Sequence, residues 1–132
     1  MAAVTAAKTI GTLFSNEVVY ERVVYDFSVD GGSVGALDLF TASADLVIKS
    51  CHAYVKTACT SGGSATVAIG VTGATTAYVD TTAGAVANLT AKAVLGGTTP
   101  KGVASGAKVL MTIGTAALTA GKIEVVIGYM KA

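Results

Sequence analysis

Residues 62–71, with the sequence GGSATVAIGV, decide the fold of this chain. A Gly-Gly turn is followed there by four apolar residues at every second position, namely Ala65, Val67, Ile69 and Val71. Strict alternation of this kind is typical of a half-buried β-strand. Similar short runs recur along the chain with Gly, Ser, Thr or Asp between them, so the sequence predicts an all-β protein.

Length and composition indicate one domain with an unusually weakly charged surface. A chain of 132 residues is long enough to bury a core without disulfides or metals. Nine Lys and Arg balance eight Asp and Glu, and no stretch concentrates the basic residues, so nucleic acid is not an expected partner. Charged residues make up 13% of the chain and hydrophobic residues 52%, which leaves little charge to cover the surface.

Two explanations for the apolar excess are a membrane span and a surface buried against other subunits. Every candidate span is interrupted by a charged residue, among them Lys49, Lys56, Asp80 and Lys92, so no membrane partner is expected. The first residues, MAAVTAAKTIGTLF, lack the features of a secretory signal. Shared subunit surfaces and synthesis in a cytoplasm are therefore the expectation.

Residues 1–16 are predicted to form an N-terminal arm, and residues 17–132 the single domain. The arm has no clear periodicity, and its only sizeable apolar side chains are Ile10, Leu13 and Phe14. Leaving these three exposed would be unfavourable, so we expect them to dock on the same domain or on a neighbour. They are the candidate partner-interface residues.

The first half of the domain reads as three extended runs. Residues 18–29, VVYERVVYDFSV, are predicted to form a strand, and residues 30–33 a turn. The predicted inward face of that strand consists of Val23, Tyr25, Phe27 and Val29. Strands are also expected at 34–40 and 46–58. The last has apolar residues at both parities, which indicates a central strand covered on both faces or a bulge, with a helix as the weaker alternative.

The second half continues the pattern after a hairpin between residues 65–71 and 77–80. Residues 81–106 are read as a loop or as a short helix within AVANLTAKAVL. A strand at 109–113 and a turn at Ala120–Gly121 then lead into a last strand at 123–129. Seven or eight short strands predict an antiparallel β-sandwich or jelly roll.

The sequence contains no recognisable catalytic, cofactor-binding or metal-binding motif, so no such residues are assigned, no cofactor is expected, and the chain is not expected to be an enzyme. His52 is the only histidine, and its neighbour Cys51 would point to the opposite face of a strand. Cys51 and Cys59 would lie roughly 26 Å apart on one extended strand, so they are interpreted as separate buried thiols unless the chain bends sharply.

The remaining polar and aromatic residues have structural interpretations. The aspartates that lie mostly beside turns, as candidate caps of local backbone amides, are Asp26, Asp30, Asp38, Asp45 and Asp80. The glycines match neither a dinucleotide-binding fingerprint nor a phosphate loop. Five tyrosines without tryptophan favour core or subunit contacts, with a carbohydrate platform as the alternative.

Three stretches resemble small structural proteins of tailed bacteriophages, particularly capsid decoration or cement proteins. They are YDFSVDGGSVGALDLF at 25–40, LVIKSCHAYVKTACTSGGSATVAIGV at 46–71 and TAGKIEVVIGYMKA at 119–132. The likeness covers about residues 20–80 and 108–132. It implies a homo-oligomer, a trimer or dimer, that is made in the host bacterial cytoplasm and binds the major capsid protein on the exterior of the virion capsid.

The function expected from this resemblance is decoration of the phage head, with stabilisation by bridging neighbouring coat subunits. The alternative is a receptor- or glycan-binding module of a phage fibre or tail, using loops around residues 30–33 or 96–101. A hydrolase is the third hypothesis.

Overall fold

The computed structural model describes residues 18–132, which form two antiparallel β-sheets packed face to face. The strands are β1 Val19–Asp26, β2 Gly35–Thr41, β3 Leu46–Ser61, β4 Thr66–Val71, β5 Ala74–Val79, β6 Val94–Gly97, β7 Lys101–Val103, β8 Lys108–Gly114 and β9 Leu118–Lys131. A single helical turn, α1, spans Phe27–Asp30, and a 3₁₀ turn spans Val86–Asn88. The prediction of an all-β antiparallel sandwich is confirmed.

The chain passes back and forth between the two sheets. Sheet A has the order β1-β9-β3-β6, and β7 pairs with β3 beside β6. Sheet B has the order β2-β8-β4-β5. The chain crosses from one sheet to the other after most strands. In these strand orders the long strands β3 and β9 lie at the centre of sheet A, and β8 and β4 lie at the centre of sheet B.

The core lies between the sheets and consists of the inward residues of these central strands. In β9, Ile123, Val125 and Ile127 have no exposed surface, and the residues between them, Glu124 and Val126, are only half-buried. Ile48 and Val55 of β3 are equally buried. Burying one such side chain contributes roughly 1.5–3 kcal/mol, so this layer holds the two sheets together.

The structure decides between the two predictions for the long strand β3, a bulge or coverage on both faces. Its pairing with β9 shifts register at several places, beginning between Ile48 and Ser50, so β3 contains bulges as predicted. Coverage on both faces was the other prediction and is wrong, because outward residues such as Tyr54 and Lys56 are exposed.

The alternating run in β4 packs as predicted on its inner side, but the strand is not half-buried. Ala65, Val67, Ile69 and Val71 are all in the core, and on the other side Ala68 and Gly70 are buried as well. These outward residues are too small to rise above the neighbouring strands β8 and β5. The predicted hairpin is present, with β5 beginning earlier than expected.

The first strand ends sooner than the sequence predicted. β1 stops at Asp26, whose side chain accepts a hydrogen bond from the Ser28 amide at 3.0 Å and so caps α1. Phe27 and Val29 therefore do not share a strand face with Tyr25. Phe27 packs against the core from α1, whereas Val29 is 79% exposed.

The turn expected at Ala120–Gly121 is also wrong, since both residues lie inside β9. The chain reverses at 115–117, where Thr115 has φ of +68°. Gly121 has φ of +141° and lies against the Cys59 side chain, where a Cβ would overlap the sulfur. Glycine is needed here for an irregularity in the β3–β9 ladder, which looks like a turn signal in the sequence.

Residues 81–106 contain more structure than the sequence indicated. The expected short helix is only the 3₁₀ turn at Val86–Asn88, and two short strands that were not predicted, β6 and β7, pair with β3. With these additions the described part of the chain has nine strands, compared with the seven or eight expected.

Candidate functional site

The predicted arm, residues 1–16, and its interface residues Ile10, Leu13 and Phe14 lie outside the residues that the structure describes. The candidate surfaces below belong to residues 18–132. None of the helices in that range is long and apolar enough to cross a membrane.

The reactive side chains are separated by the strand geometry. Cys51 is 1% exposed and faces the core, while His52 lies on the outer face of sheet A, as predicted for adjacent strand residues. Both cysteines are free and buried, also as predicted. Burial raises the pKa of the Cys51 thiol to about 12 and that of Cys59 to about 11, so both are protonated at neutral pH. Within 18–132, no three His, Cys, Asp or Glu side chains converge as metal ligands.

The aspartates mostly cap loops, as the sequence indicated. Asp30 accepts the Asp26 amide at 3.0 Å, and Asp80 accepts the Ala83 amide at 2.7 Å. Asp45 accepts the Ser105 amide at 2.9 Å, joining two loops at one end of the sandwich. Asp38 differs, because it pairs with the Lys108 ammonium at 2.8 Å on the exposed face of sheet B. These contacts give the carboxylates structural roles.

The tyrosines are divided between the core and the surface. Tyr25 is 1% exposed and its hydroxyl donates to the Gly31 carbonyl at 2.6 Å, while Tyr78 is buried on the other side of the core. Tyr129 is half-buried and packs against Phe40 with ring centroids 5.0 Å apart. Only Tyr20 and Tyr54 are exposed, at 67% and 38%. The core or contact interpretation therefore fits the tyrosines better than a shared platform.

The outer face of sheet A is the candidate contact surface, because it brings exposed apolar side chains together across four strands. Directly paired residues in antiparallel strands share a face. Val24 of β1 pairs with Glu124 of β9, which pairs with Tyr54 of β3, which pairs with Val94 of β6. This set, here called the Val24 row, places one carboxylate among three exposed apolar residues that are 37%, 38% and 62% exposed.

The carboxylate in the Val24 row is neutralised by two cations from the adjacent strands. Lys56 Nζ lies 2.9 Å from Glu124 Oε2, and Arg22 Nε lies 3.3 Å from Oε1. The hydrogen bond from Lys56 and the charge of Arg22 hold the pKa of Glu124 below its ordinary value. The outer face of sheet A is therefore a mixed surface on which the central negative charge is already paired.

The chain was compared with known proteins at the level of sequence and of structure. No protein-family profile matches it, and no curated protein matches it by sequence. A chain of the cyanophage Pam1 capsid asymmetric unit matches by structure with a TM-score of 0.65 and 17% identity, covering 90% of this chain and 88% of that one. A chain of the acid-stable capsid of Helicobacter pylori bacteriophage KHP30 matches with a TM-score of 0.60 and 11% identity, covering 86% of both.

These likenesses show the fold. The two capsid structures contain a sandwich that this chain matches over nearly its whole described length, so the expected resemblance to phage structural proteins is confirmed at the level of the fold.

Proposed function

We propose that this chain is a structural protein of a bacteriophage virion that decorates the outside of the head and stabilises it by bridging coat subunits. The observation that carries the proposal is the match of nearly the whole sandwich to chains of two phage capsid structures. Identities of 17% and 11% carry no residue-level correspondence, so the role rests on the fold and on the surface.

The strand order supports the jelly-roll form of the sandwich. The chain crosses between sheets A and B after β1, β2, β3, β5, β7 and β8. Repeated crossing between two sheets of this width is typical of jelly rolls, a fold used in viral capsid and lectin domains. The fold therefore favours a virion role. It is also compatible with the alternative, a receptor- or glycan-binding module, because lectin domains use the same fold.

The surface supports a contact role. The outer face of sheet A exposes apolar side chains beside a carboxylate that already has its cationic partners, so a coat subunit could cover it without burying an unpaired charge. A protein that binds the assembled shell more tightly than it binds free coat protein stabilises the shell by the difference between the two binding free energies. When the free protein is a hundredfold more concentrated than its Kd, each binding site adds roughly 2.7 kcal/mol to the stability of the shell.

The test is to add the purified chain to undecorated heads of its phage and to follow their disruption temperature by light scattering. The disruption temperature should rise and then saturate with added protein. Tyr54→Lys on the outer face of sheet A and Thr112→Lys on the outer face of sheet B form a matched pair, because each adds one cation to an opposite face. We expect Tyr54→Lys to weaken the effect. An unchanged disruption temperature at saturating wild-type protein would rule out the cement role.

Location on the particle separates the two candidate functions. Labelled antibody should cover the whole head if the protein decorates it. Label confined to the tail or to the vertices would instead support the receptor- or glycan-binding module.

A further inference from the structure

The two flanks of the sandwich, where an edge strand of sheet A faces an edge strand of sheet B, are built differently. On the flank formed by β5 with β6 and β7, the Tyr78 hydroxyl donates to the Thr99 carbonyl at 3.0 Å and so ties sheet B to the loop between β6 and β7. On the flank formed by β1 and β2 there is a cleft of about 110 Å³, lined by apolar residues such as Val23 and Leu37 and by the carboxylates Asp30 and Asp38. The first flank has a cleft too, of about 380 Å³, which is lined by residues 71–74, 101–104 and Ala107. The flanks therefore differ in the tie made by the Tyr78 hydroxyl, not in the presence of a cleft.

Most of the exposed apolar residues lie on β1 or on the segment between β1 and β2. Within residues 18–132, seven large apolar side chains are exposed. Five of the seven precede β2 in the chain, namely Val19, Tyr20, Val24, Val29 and Val34. Single exposed apolar residues are ordinary on protein surfaces, but a concentration on one edge strand and the segment that follows it indicates a contact surface.

Among residues 18–132 only β9 pairs with β1, so the other side of β1 presents a regular edge. All eight residues of β1 pair with β9 without a register shift. The Asp26 amide donates a hydrogen bond to the Asp30 carboxylate at 3.0 Å, so this amide points away from β9. Because amides alternate between the two sides of a strand, the amides of Tyr20, Arg22 and Val24 also point to the open side. These groups can form a ladder with one more strand.

The edge strands β2, β6 and β7 carry features that discourage such pairing. β2 has a register shift between Asp38 and Phe40, and Asp38 holds an ion pair with Lys108 beside it. The opposite edge of sheet A is divided into β6 of four residues and β7 of three. Bulges, charges and short strands are the usual protections of sheet edges. β1 is eight residues long and has no register shift. Its charged residues are Glu21, Arg22 and Asp26, of which Arg22 and Asp26 have ion-pair partners in β9.

We propose that β1 is the site of self-association, where β1 of a second copy of this chain adds antiparallel and joins the two five-stranded sheets A into one. The antiparallel arrangement lets one edge serve as both partners, because a two-fold axis gives each copy the same donors and acceptors. The net charge of +1 produces little repulsion between copies. This inference goes beyond the proposed role on the head, since it concerns the isolated chain in solution.

A second copy fits the edge better than the N-terminal segment of the same chain does. Residues 1–16 include four alanines, and alanine is depleted in strands, whereas β1 is rich in Val and Tyr. A contact made by one strand pair and its flanking side chains is small compared with the roughly 1,600 Å² of a standard interface. The association is therefore reversible and depends on concentration.

The test is sedimentation velocity on the full-length chain over a concentration series, with three variants. Val24→Pro removes an amide that faces the open edge and none that bonds β9, and Val24→Lys places a cation on the same edge. Val94→Lys is the matched control, because Val94 lies in the Val24 row on the opposite edge strand. Circular dichroism shows which variants are folded, and Val24→Lys still decides the question if Val24→Pro does not fold.

We expect the wild type and Val94→Lys to convert from monomer to dimer as concentration rises. Both Val24 variants should weaken the dimer by about tenfold or more, because each dimer contains the substitution twice. In the wild type, hydrogen exchange at the Arg22 and Val24 amides should slow as the dimer forms.

The proposal is overturned if the wild type stays monomeric throughout, or if its self-association is unaffected by either Val24 substitution. It is also overturned if Val94→Lys, or replacement of Ile10, Leu13 and Phe14 by Asp in the full chain, disrupts the dimer as strongly as Val24→Lys. None of these measurements involves a phage head, so failure here is distinguishable from failure of the proposed function.

Discussion

Replacing Tyr78 by Phe tests how much one hydroxyl group contributes to holding sheet B against the loop between β6 and β7. The Tyr78 ring is 9% exposed and its hydroxyl donates to the Thr99 carbonyl at 3.0 Å, with the Ile48 carbonyl further away at 3.4 Å. The substitution keeps the ring and its packing and removes only the donor. Any loss of stability therefore measures the tie between sheet B and the loop that precedes β7.

The expected loss follows from the surroundings of the acceptor. An intramolecular hydrogen bond contributes roughly 0.5–1.5 kcal/mol net, and an acceptor left buried without a partner costs up to about 3 kcal/mol. Thr99 is an exposed loop residue, so water can reach its carbonyl after the substitution. We therefore expect a loss of about 1 kcal/mol in the free energy of unfolding.

The loss can be measured as a shift in the melting temperature. For 132 residues the unfolding entropy is about 0.28 kcal/mol/K, so 1 kcal/mol corresponds to a decrease in Tm of about 4 °C. Calorimetry should show this shift at a concentration where the chain is monomeric. Amide exchange in β7, Lys101–Val103, should also accelerate, because the loop before it is no longer tied.

Tyr20→Phe is the matched control, since Tyr20 is 67% exposed and the same atom is removed from the surface. Its Tm should stay within about 1 °C of the wild type. An equal Tm for Tyr78→Phe and Tyr20→Phe, with unchanged exchange in β7, would refute the view that this hydroxyl ties sheet B to the loop before β7.

Three further predictions concern the core. Burial raises the pKa of Tyr25 to about 12, and the neighbouring Cys59 adds to the shift. The stabilising contribution of the neutral Tyr25 hydroxyl is therefore present below about pH 10 and is lost as the pH rises toward 12. Alkaline unfolding followed by circular dichroism should begin at a higher pH in Tyr25→Phe than in the wild type. Gly84→Ala should be strongly destabilising by thermal melting, because its Cβ would overlap a carbonyl oxygen of β4, whereas Gly97→Ala has open space and should change Tm little. Cys51 and Cys59 should resist alkylation at pH 8 until the protein unfolds, and rapid labelling of the folded chain would contradict their burial.

The strands that the sequence predicted well are those with one face in the core. In β9 and β8 the apolar residues alternate because every second side chain is buried between the sheets, and this constraint is visible as a period of two. The same rule placed Cys51 and His52 on opposite faces. The run at 65–71 was identified for this reason too, although its outer side is also buried because its residues there are small.

The elements that were missed depend on partners distant in sequence. β6 and β7 are short edge strands that pair with β3, about forty to sixty residues earlier, and their Gly-containing sequences carry no clear alternation. Gly121 indicated a turn, but glycine is required there by an irregular ladder against Cys59. Only the paired structure distinguishes these two uses of glycine.

The exposure of Val29 was hidden by an error in the predicted end of the first strand. Because residues 18–29 were read as one strand, Phe27 and Val29 were assigned to its inward face with Tyr25. The cap at Asp26 ends the strand and leaves Val29 exposed, so the apolar residues of this region lie partly on the surface. Composition predicted shared surfaces in general, whereas their position depends on where one strand stops.

The difference between the two flanks has a consequence for the form of any assembly. If both edges of sheet A were open, copies could add at each end, and head-to-tail pairing would continue into a filament. In the part of sheet A that the structure describes, the β6 and β7 edge is divided into short strands and is tied to sheet B by Tyr78, so β1 is its long and regular edge. Two-fold pairing uses that edge in both copies and leaves no edge for a third. On the proposal that β1 pairs with β1 of a second copy, the chain forms a closed pair, and its outer sheet faces stay available to a different partner such as a capsid surface.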